Sequence, residues 1–315
     1  LPFEKKAEVY VSSCSDMTDR IIFSIVIPTY NRAHLISRTI ESILAQTFKD
    51  FEIIIVDDGS TDNTEEVIQK YLSDSVHYYK KKNEERAAAR NFGALKAQGK
   101  YINSFDSDDI MFPDHLEAAY QTMIKFGSPE LFTLGFQYQD DSGHVFFKSH
   151  YSSDINHDMY KGNQVVVCSV FVRKDIAIAN PYNTDRDLSG SEDFELWLRL
   201  SAKYKIYSSD HITVAFIHHL ERSIIAMKDP GQLIRRYTKF IQYTTSNKEV
   251  VALMGKNKDV FVMKNYLLLS VDLINNNFKD LGIKYLKLAM ANSPKIVFER
   301  GFYAFIKHYL RHFFS

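Results

Sequence analysis

Three carboxylates fall within four residues at Asp106-Ser107-Asp108-Asp109. Like charges this close repel one another, and a folded chain tolerates them best around a cation. Oxygen-only ligands suit Mg²⁺ or Mn²⁺, which keep water and bridge to substrate phosphates. A diphosphate leaving group needs such a metal to neutralise the charge it develops. A solvated acidic turn in front of a helix would explain the same residues without a metal. Asp57-Asp58 ends an apolar run and is followed by Gly59-Ser60. A helix-capping turn accounts for Gly59, Ser60 and Asp62. It accounts poorly for Asp57, because an acid directly ending an apolar strand points into the rim. Either Asp57 or Asp58 can accept hydrogen bonds from a base or a ribose there. A second acidic pair, Glu192-Asp193, opens a helical segment, where acids in the first turn favour the helix dipole.

The elements that must position these residues alternate regularly. Ile21 to Ile27 is an apolar, β-branched run ended by Pro28, the mark of a buried strand. Leu35, Ile36, Ile40, Ile43 and Leu44 then share one helical face. Phe51 to Val56 is a second buried strand, followed by a helix with Asp62 as N-cap and Glu65 completing a capping box. Val76 to Lys80 is a third strand, and the alanine-rich stretch Arg86 to Gln98 a helix stopped by Gly99. Tyr101 to Phe105 is a fourth strand, and Pro113 opens the next helix. This β-α-β-α-β-α-β order predicts an α/β parallel sheet with helices on its faces. Ligands of such sheets bind beyond the carboxyl ends of the strands, where strand order reverses. Thr29 to Arg32, Asp57-Asp58 and Asp106 to Asp109 all fall at those ends.

Residues 131–227 change character. Short aromatic or β-branched runs (Leu131 to Tyr138, Val145 to Phe147, Gln164 to Val172) alternate with polar loops, which predicts a mixed-sheet extension; Glu192 to Leu200 is helical within it. Residues 230–315 read as mostly helical, with a turn at Asn275-Asn276-Asn277 and a break at Pro294. The expected organisation is an N-terminal arm at 1–20, a nucleotide-binding half at 21–130, an acceptor half at 131–227 and a helical region at 228–315. Lysine plus arginine and aspartate plus glutamate are both 39, a balance that argues against a nucleic-acid partner. Cys14 and Cys168 lack metal or disulfide spacing and fit a reducing compartment. No run of about eighteen apolar residues suggests a membrane span, so the expected location is cytoplasmic.

Four motifs, taken together in order and spacing, carry a resemblance. They are Val26-Ile27-Pro28-Thr29-Tyr30-Asn31-Arg32, Val56-Asp57-Asp58-Gly59-Ser60-Thr61-Asp62, Ala89-Arg90-Asn91 with Gly93, and Phe105-Asp106-Ser107-Asp108-Asp109. This combination resembles the family-2 glycosyltransferases, which have the GT-A fold and are mostly inverting. Glu192-Asp193 within Ser191 to Leu196 looks like that family's acidic base motif, and His219 with Ser223 like its late histidine and serine segment. The resemblance implies a Rossmann-like GT-A sheet with an acceptor extension. It implies that Pro28, Thr29, Asn31, Arg32, Asp57, Asp58, Arg90, Asp106 and Ser107 bind a nucleotide-sugar donor. It implies that Asp108 binds Mn²⁺ or Mg²⁺, helped by His219, and that Asp193 is the general base. Glu192 and Asp109 would support them. His218 and His219 are adjacent, so only one is expected to face the site; a surface histidine is the plainer account. The acidic loop Asn83-Glu84-Glu85-Arg86 and Ile217, where an arginine often precedes the histidine, depart from the family pattern.

The donor implied is a UDP-sugar, with GDP or dTDP as alternatives, and the acceptor a glycan or a lipid-linked glycan. A catalytically silent nucleotide-sugar binder of the same fold is the alternative function. A phosphoacceptor domain would also place aspartates at strand ends, but it leaves Asp193 unexplained. A dinucleotide oxidoreductase is disfavoured, because Pro28-Thr29-Tyr30-Asn31 stands where GxGxxG would follow the first strand. In the last segment Phe298, Phe302, Phe305, Tyr309 and Phe313 follow helical spacing, with Arg300, Lys307 and Arg311 on another side. That pattern suits a helix over 298–314 at the inner face of a membrane, or one packed on the chain's own helices, the reading favoured here.

Overall fold

The computed structural model describes residues 21–218 and 228–311. Strands β1 (Phe23–Thr29), β2 (Phe51–Asp57), β3 (Val76–Lys80) and β4 (Tyr101–Ser104) are parallel to one another. Every residue of β1 and β2 is buried, as runs covered on both faces must be. The remaining strands are β5 (Ile110–Met111), β6 (Leu131–Asp140), β7 (Val145–Lys148), β8 (Val170–Arg173) and β9 (Ile206–His218). All join one sheet in the order β3-β2-β1-β4-β8-β6-β9-β5, with β7 paired to β6. The chain steps outward from β1 through β2 to β3. It then crosses back to lay β4 on the other side of β1, so strand order reverses between β1 and β4.

Helices α1 (Ile36–Leu44), α2 (Thr64–Gln69), α3 (Glu85–Lys96) and α4 (His115–Lys125) connect these strands. α1 buries Ile36, Thr39, Ile40 and Ile43 against the sheet. α3 lies so close to β1 that a Cβ on Gly93 would stand 2.3 Å from Val26 Cγ1. The short α5 (Ile155–Asp158) and α6 (Lys174–Ala179) precede α7 (Glu192–Ser201). A helical region follows: α8 (Pro230–Ser246), α9 (Lys248–Met254), α10 (Lys258–Asn275), α11 (Lys279–Asn292) and α12 (Arg300–Arg311). Phe240 of α8 and Phe261 of α10 join the core of the sheet region and form a three-ring cluster with Phe194 of α7, which lies 5.1 and 6.3 Å from them.

Local expectations failed where tertiary contacts took over. The N-cap of α2 is Asn63 rather than Asp62, which lies one residue ahead and accepts from Thr64 N and Oγ1, and Glu65 turns away to Lys80 at 2.8 Å instead of closing a capping box. Gly99 lies beyond the helix end, at Ala97. Its missing side chain admits β1 instead, since a Cβ there would meet Ser24 N at 2.7 Å. Pro113 precedes the N-cap Asp114 rather than opening α4. Within Gln164 to Val172 the strand begins only at Val170, after a 3-10 turn at Val167–Ser169. Strand β9, the longest in the sheet, and the two-residue β5 were not expected. In α12 Phe302 and Phe305 turn inward, Phe305 being 4% exposed. Arg300 and Lys307 face outward on another side, as expected, and share it with Tyr303 and Ile306; Phe298 is exposed, and Phe313 and the side chains of Tyr309 and Arg311 lie outside the described residues. Cys168 is buried and forms no disulfide among the described residues; Cys14 lies outside them. Among the described residues no helix is long and apolar enough to cross a membrane.

Candidate active site

The reversal of strand order opens a cleft between the carboxyl ends of β1 and β4. Pro28, Thr29 and Arg32 line it from the end of β1, Asp58 from the end of β2, and Asp106, Ser107 and Asp108 from the turn after β4. Tyr30, Asn83, Glu85 and Arg86 complete the wall. These last four were not singled out as donor-binding from sequence. A readable signal existed for Arg86, since the third strand's carboxyl end must also face this rim. Glu85 carries its own mark, a φ of +76° that non-glycine residues seldom adopt.

The two aspartates after β2 are used differently. Asp57 is fully buried; its Oδ1 accepts from Ser60 N at 2.7 Å and its Oδ2 from the Tyr78 hydroxyl at 2.7 Å. Burial and this bond to Asp57 push the Tyr78 phenol well above its ordinary range. Asp58 lines the cleft and accepts from Lys81 Nζ at 2.9 Å and from Glu84 N at 3.0 Å. Asn31, at φ +51°, turns its side chain away to the following loop, where Oδ1 accepts from Thr61 N at 2.8 Å, while its own N–H donates to Ser60 Oγ at 2.9 Å. It thereby pins the loop after β1 to the loop after β2.

In the acidic turn, carboxylate oxygens of Asp106, Asp108 and Asp109 lie within 4.8 Å of one another. Asp109 is fully buried, and its Oδ1 accepts from Ile217 N of β9 at 3.0 Å. Asp106 and Asp108 face the cleft. An oxygen set of this size with two members open to a ligand fits a hard divalent cation. Arg38 of α1 fixes the turn from outside, donating to the Asp108 carbonyl at 3.2 Å. His218 is exposed and lies 5.8 Å from the ring of Phe146; His219 lies outside the described residues.

Arg90 joins the two halves of the site. Its guanidinium is 2% exposed, donates to Asp106 Oδ1 at 2.6 Å and Glu192 Oε1 at 2.9 Å, and lies 5.3 Å over the Tyr182 ring. Burial works against its charge, but the surrounding carboxylates outweigh it and raise its pKa. Glu192 is also buried; Arg86 Nε is 3.5 Å from Oε1 and Gly190 N donates to Oε2 at 2.6 Å. Burial favours its neutral form, yet Arg86 and Arg90 hold its carboxyl below the usual range. Asp193, next along α7, is partly exposed and does not itself line the cleft. It accepts from Phe194 N at 2.7 Å, with Asn163 Nδ2 at 3.4 Å. Crowding by protein and the charged Glu192 push its carboxyl up to about 6. The structure thus places a charged, arginine-bound carboxylate beside one whose proton is exchangeable near neutral pH.

The profile of glycosyl transferase family 2 matches residues 24–183, about half of the chain. An uncharacterized glycosyltransferase of Rickettsia felis is 31% identical over 218 residues, covering 66% of this chain and 35% of that protein. The chain therefore spans about a third of that relative's length. Chondroitin synthase of Pasteurella multocida is 42% identical over 106 residues, 33% of this chain and 11% of the synthase. Among solved structures, Staphylococcus aureus TarS 1–349 in complex with UDP-GlcNAc superposes with a TM-score of 0.63 at 14% identity, covering 85% of this chain and 90% of that one. The mannosyltransferase PcManGT of Pyrobaculum calidifontis, in complex with GDP-Man and Mn²⁺, gives 0.57 at 14% identity, with 87% and 76% covered. These likenesses show the GT-A fold, and with the profile match they establish that the chain belongs to glycosyl transferase family 2.

Proposed function

We propose that this chain is an inverting glycosyltransferase that moves a sugar from a UDP-sugar to a hydroxyl of a glycan acceptor. The observation that carries the reading is the cleft at the β1–β4 switch point. There Asp58, Asp106 and Asp108 meet Arg32 and Arg86, while Arg90 ties Asp106 to the helix that bears Asp193. The TarS complex with UDP-GlcNAc supports uridine, and the PcManGT complex with Mn²⁺ supports a divalent metal. Residues 21–130 then form the donor half and 131–227 the acceptor half.

In this reading Asp58 meets the base or ribose, because Asp57 spends both oxygens inside the protein. Asn31 acts by shaping the loop, and Pro28, Thr29 and Ser107 form walls. Arg32 and Arg86 face the diphosphate charge. Asp108 and Asp106 would hold Mg²⁺ or Mn²⁺, with His219 as a further ligand and Asp109 bracing the turn; the bound ion would neutralise the leaving diphosphate. The acceptor oxygen attacks the anomeric carbon from the face opposite the diphosphate, and the bond to the diphosphate oxygen breaks. The hydroxyl proton passes to an Asp193 oxygen. Glu192 stays ionised between Arg86 and Arg90, which keeps the base in place. The outward Tyr303, Ile306, Arg300 and Lys307 of α12 support a peripheral contact with an anionic cytoplasmic leaflet, useful if the acceptor is lipid-linked.

Calorimetric titration of UDP, with and without Mn²⁺, tests the donor site. Metal-dependent binding that disappears in Asp108→Ala is the expected result. No binding under either condition would overturn the UDP assignment.

A further inference from the structure

A group of aromatic side chains stands beside the acidic turn and takes no part in the donor cleft. Strands β6 and β7 pair Gln137 with Lys148 and Tyr138 with Phe147; the register then shifts so that Gln139 faces Val145. Phe146 is the extra residue of a β-bulge. In a regular strand Phe146 and Phe147 would point to opposite faces. A bulge re-aims a side chain and sharpens the local twist. Here it brings the Phe146 ring to 6.2 Å from Tyr138 and 5.8 Å from His218. Tyr138 also meets Phe147 at 5.2 Å and Phe216 at 5.0 Å, so the rings form one surface. Phe146 and Phe147 remain 51% and 46% exposed, and His218 is exposed. Large exposed aromatics gathered by an irregular strand mark a binding surface more than a packing defect.

The surface is continuous with the acidic turn. β5 leaves Asp109 and pairs with β9, Ile110 facing Ala215. Ile217 N donates to Asp109, and the next residue is His218. Arg38 spans the gap on the other side, from the Asp108 carbonyl at 3.2 Å to Asp141 Oδ1 of the β6–β7 turn at 3.5 Å. The chemistry favours a sugar over a lipid surface. A pyranose offers one face of C–H groups, which the electron-rich face of an aromatic ring attracts, and an equator of hydroxyls. Asp140 Oδ1 is taken by Ser142 and His144 within the turn, but its Oδ2 and the Asp141 carboxylate can accept hydrogen bonds from hydroxyls, whereas they would repel anionic headgroups.

We propose that Phe146, Phe147 and His218 form an aromatic subsite that holds a sugar ring of the acceptor beside the acidic turn. The inference rests on the glycosyl-transfer reading above. Its test is saturation-transfer NMR on the whole chain with methyl glycosides of glucose, galactose and N-acetylglucosamine, and with cellobiose, lactose and chitobiose. At least one of these should receive saturation from the wild-type protein. Phe146→Leu, which keeps an apolar side chain but removes the ring, should weaken binding up to about tenfold, the scale of one aromatic contact. Phe146→Tyr should retain it, and Phe147→Leu should repeat the loss. UDP binding, measured alongside, should be unchanged in all three, which shows that they fold. No signal from any sugar with the wild-type chain, or a signal indifferent to both leucine variants, would overturn the subsite. So would leucine variants that bind every sugar normally but lose binding to phosphatidylglycerol vesicles. Failure of UDP binding in the wild-type chain would count against the donor assignment alone.

Discussion

Two adjacent pairs of acids sit on the rim, and the fold treats them in opposite ways. Asp57 and Asp58 are satisfied within one β-α-β stretch, by Ser60 in the same turn and by Tyr78, Lys81 and Glu84 from the next strand and its loop. Glu192 is satisfied by Arg90, 102 residues away, while its neighbour Asp193 is crowded without a cation of its own. Hydrogen bonds within that one stretch build a floor for a ligand. Long-range charge pairing instead polarises two carboxylates, fixing one as an anion and leaving the other able to exchange its proton. A carboxyl raised to about 6 beside an ionised one is therefore a product of packing between α3, the turn after β4 and α7.

The strongest test of that contrast is Asp193→Asn, which should lower sugar transfer about 100- to 10,000-fold, the range for removing a general base. UDP binding by calorimetry should be unaffected. Transfer lost together with UDP binding would mean that Asp193 belongs to the donor site. Arg90→Met should come next, because it strands Asp106 and Glu192 in a buried setting. Breaking such a network costs about 3–5 kcal/mol, readable as a lower midpoint in urea unfolding. An unchanged midpoint would show that the charges reach solvent.

The pH profile sharpens the comparison. The Asp193 carboxyl is raised, so it is protonated and inactive as a base below about 6, and the rate of transfer should climb through that pH and level off above it. Glu192→Gln removes the neighbouring negative charge, and the limb should move to lower pH. A limb that stays in place would assign the shift to burial alone. At the other pair, Asp57→Ala leaves the buried Tyr78 hydroxyl and Ser60 N–H without their acceptor. It should cost about 1–3 kcal/mol of stability, whereas Asp58→Ala should chiefly weaken UDP binding. The smallest effect is expected far from both pairs. Neutralising Arg300 and Lys307 should weaken binding to phosphatidylglycerol vesicles by about 1 kcal/mol per charge, without altering transfer to a soluble acceptor.

The residues themselves determined the parallel half of the sheet, the three acidic motifs at strand or helix ends, and the family. Buried parallel strands are written as continuous apolar runs, and the rule that sites lie past their carboxyl ends converts strand limits into site residues. The same reasoning could not find β9. Its first half, Tyr207 to His211, is polar and part-exposed, and it becomes a strand through pairing with β6, 75 residues earlier. Nor could it separate Asp57 from Asp58, since adjacent acids at a strand end look alike until Tyr78 and Lys81 arrive from another segment. The Phe146 bulge, the inward turn of Phe302 and Phe305, and the bridge from Arg90 to Glu192 were likewise decided by tertiary structure. Each depends on groups distant in the chain coming together, and periodicity records only which side chains share a face of one element, not what that face will meet.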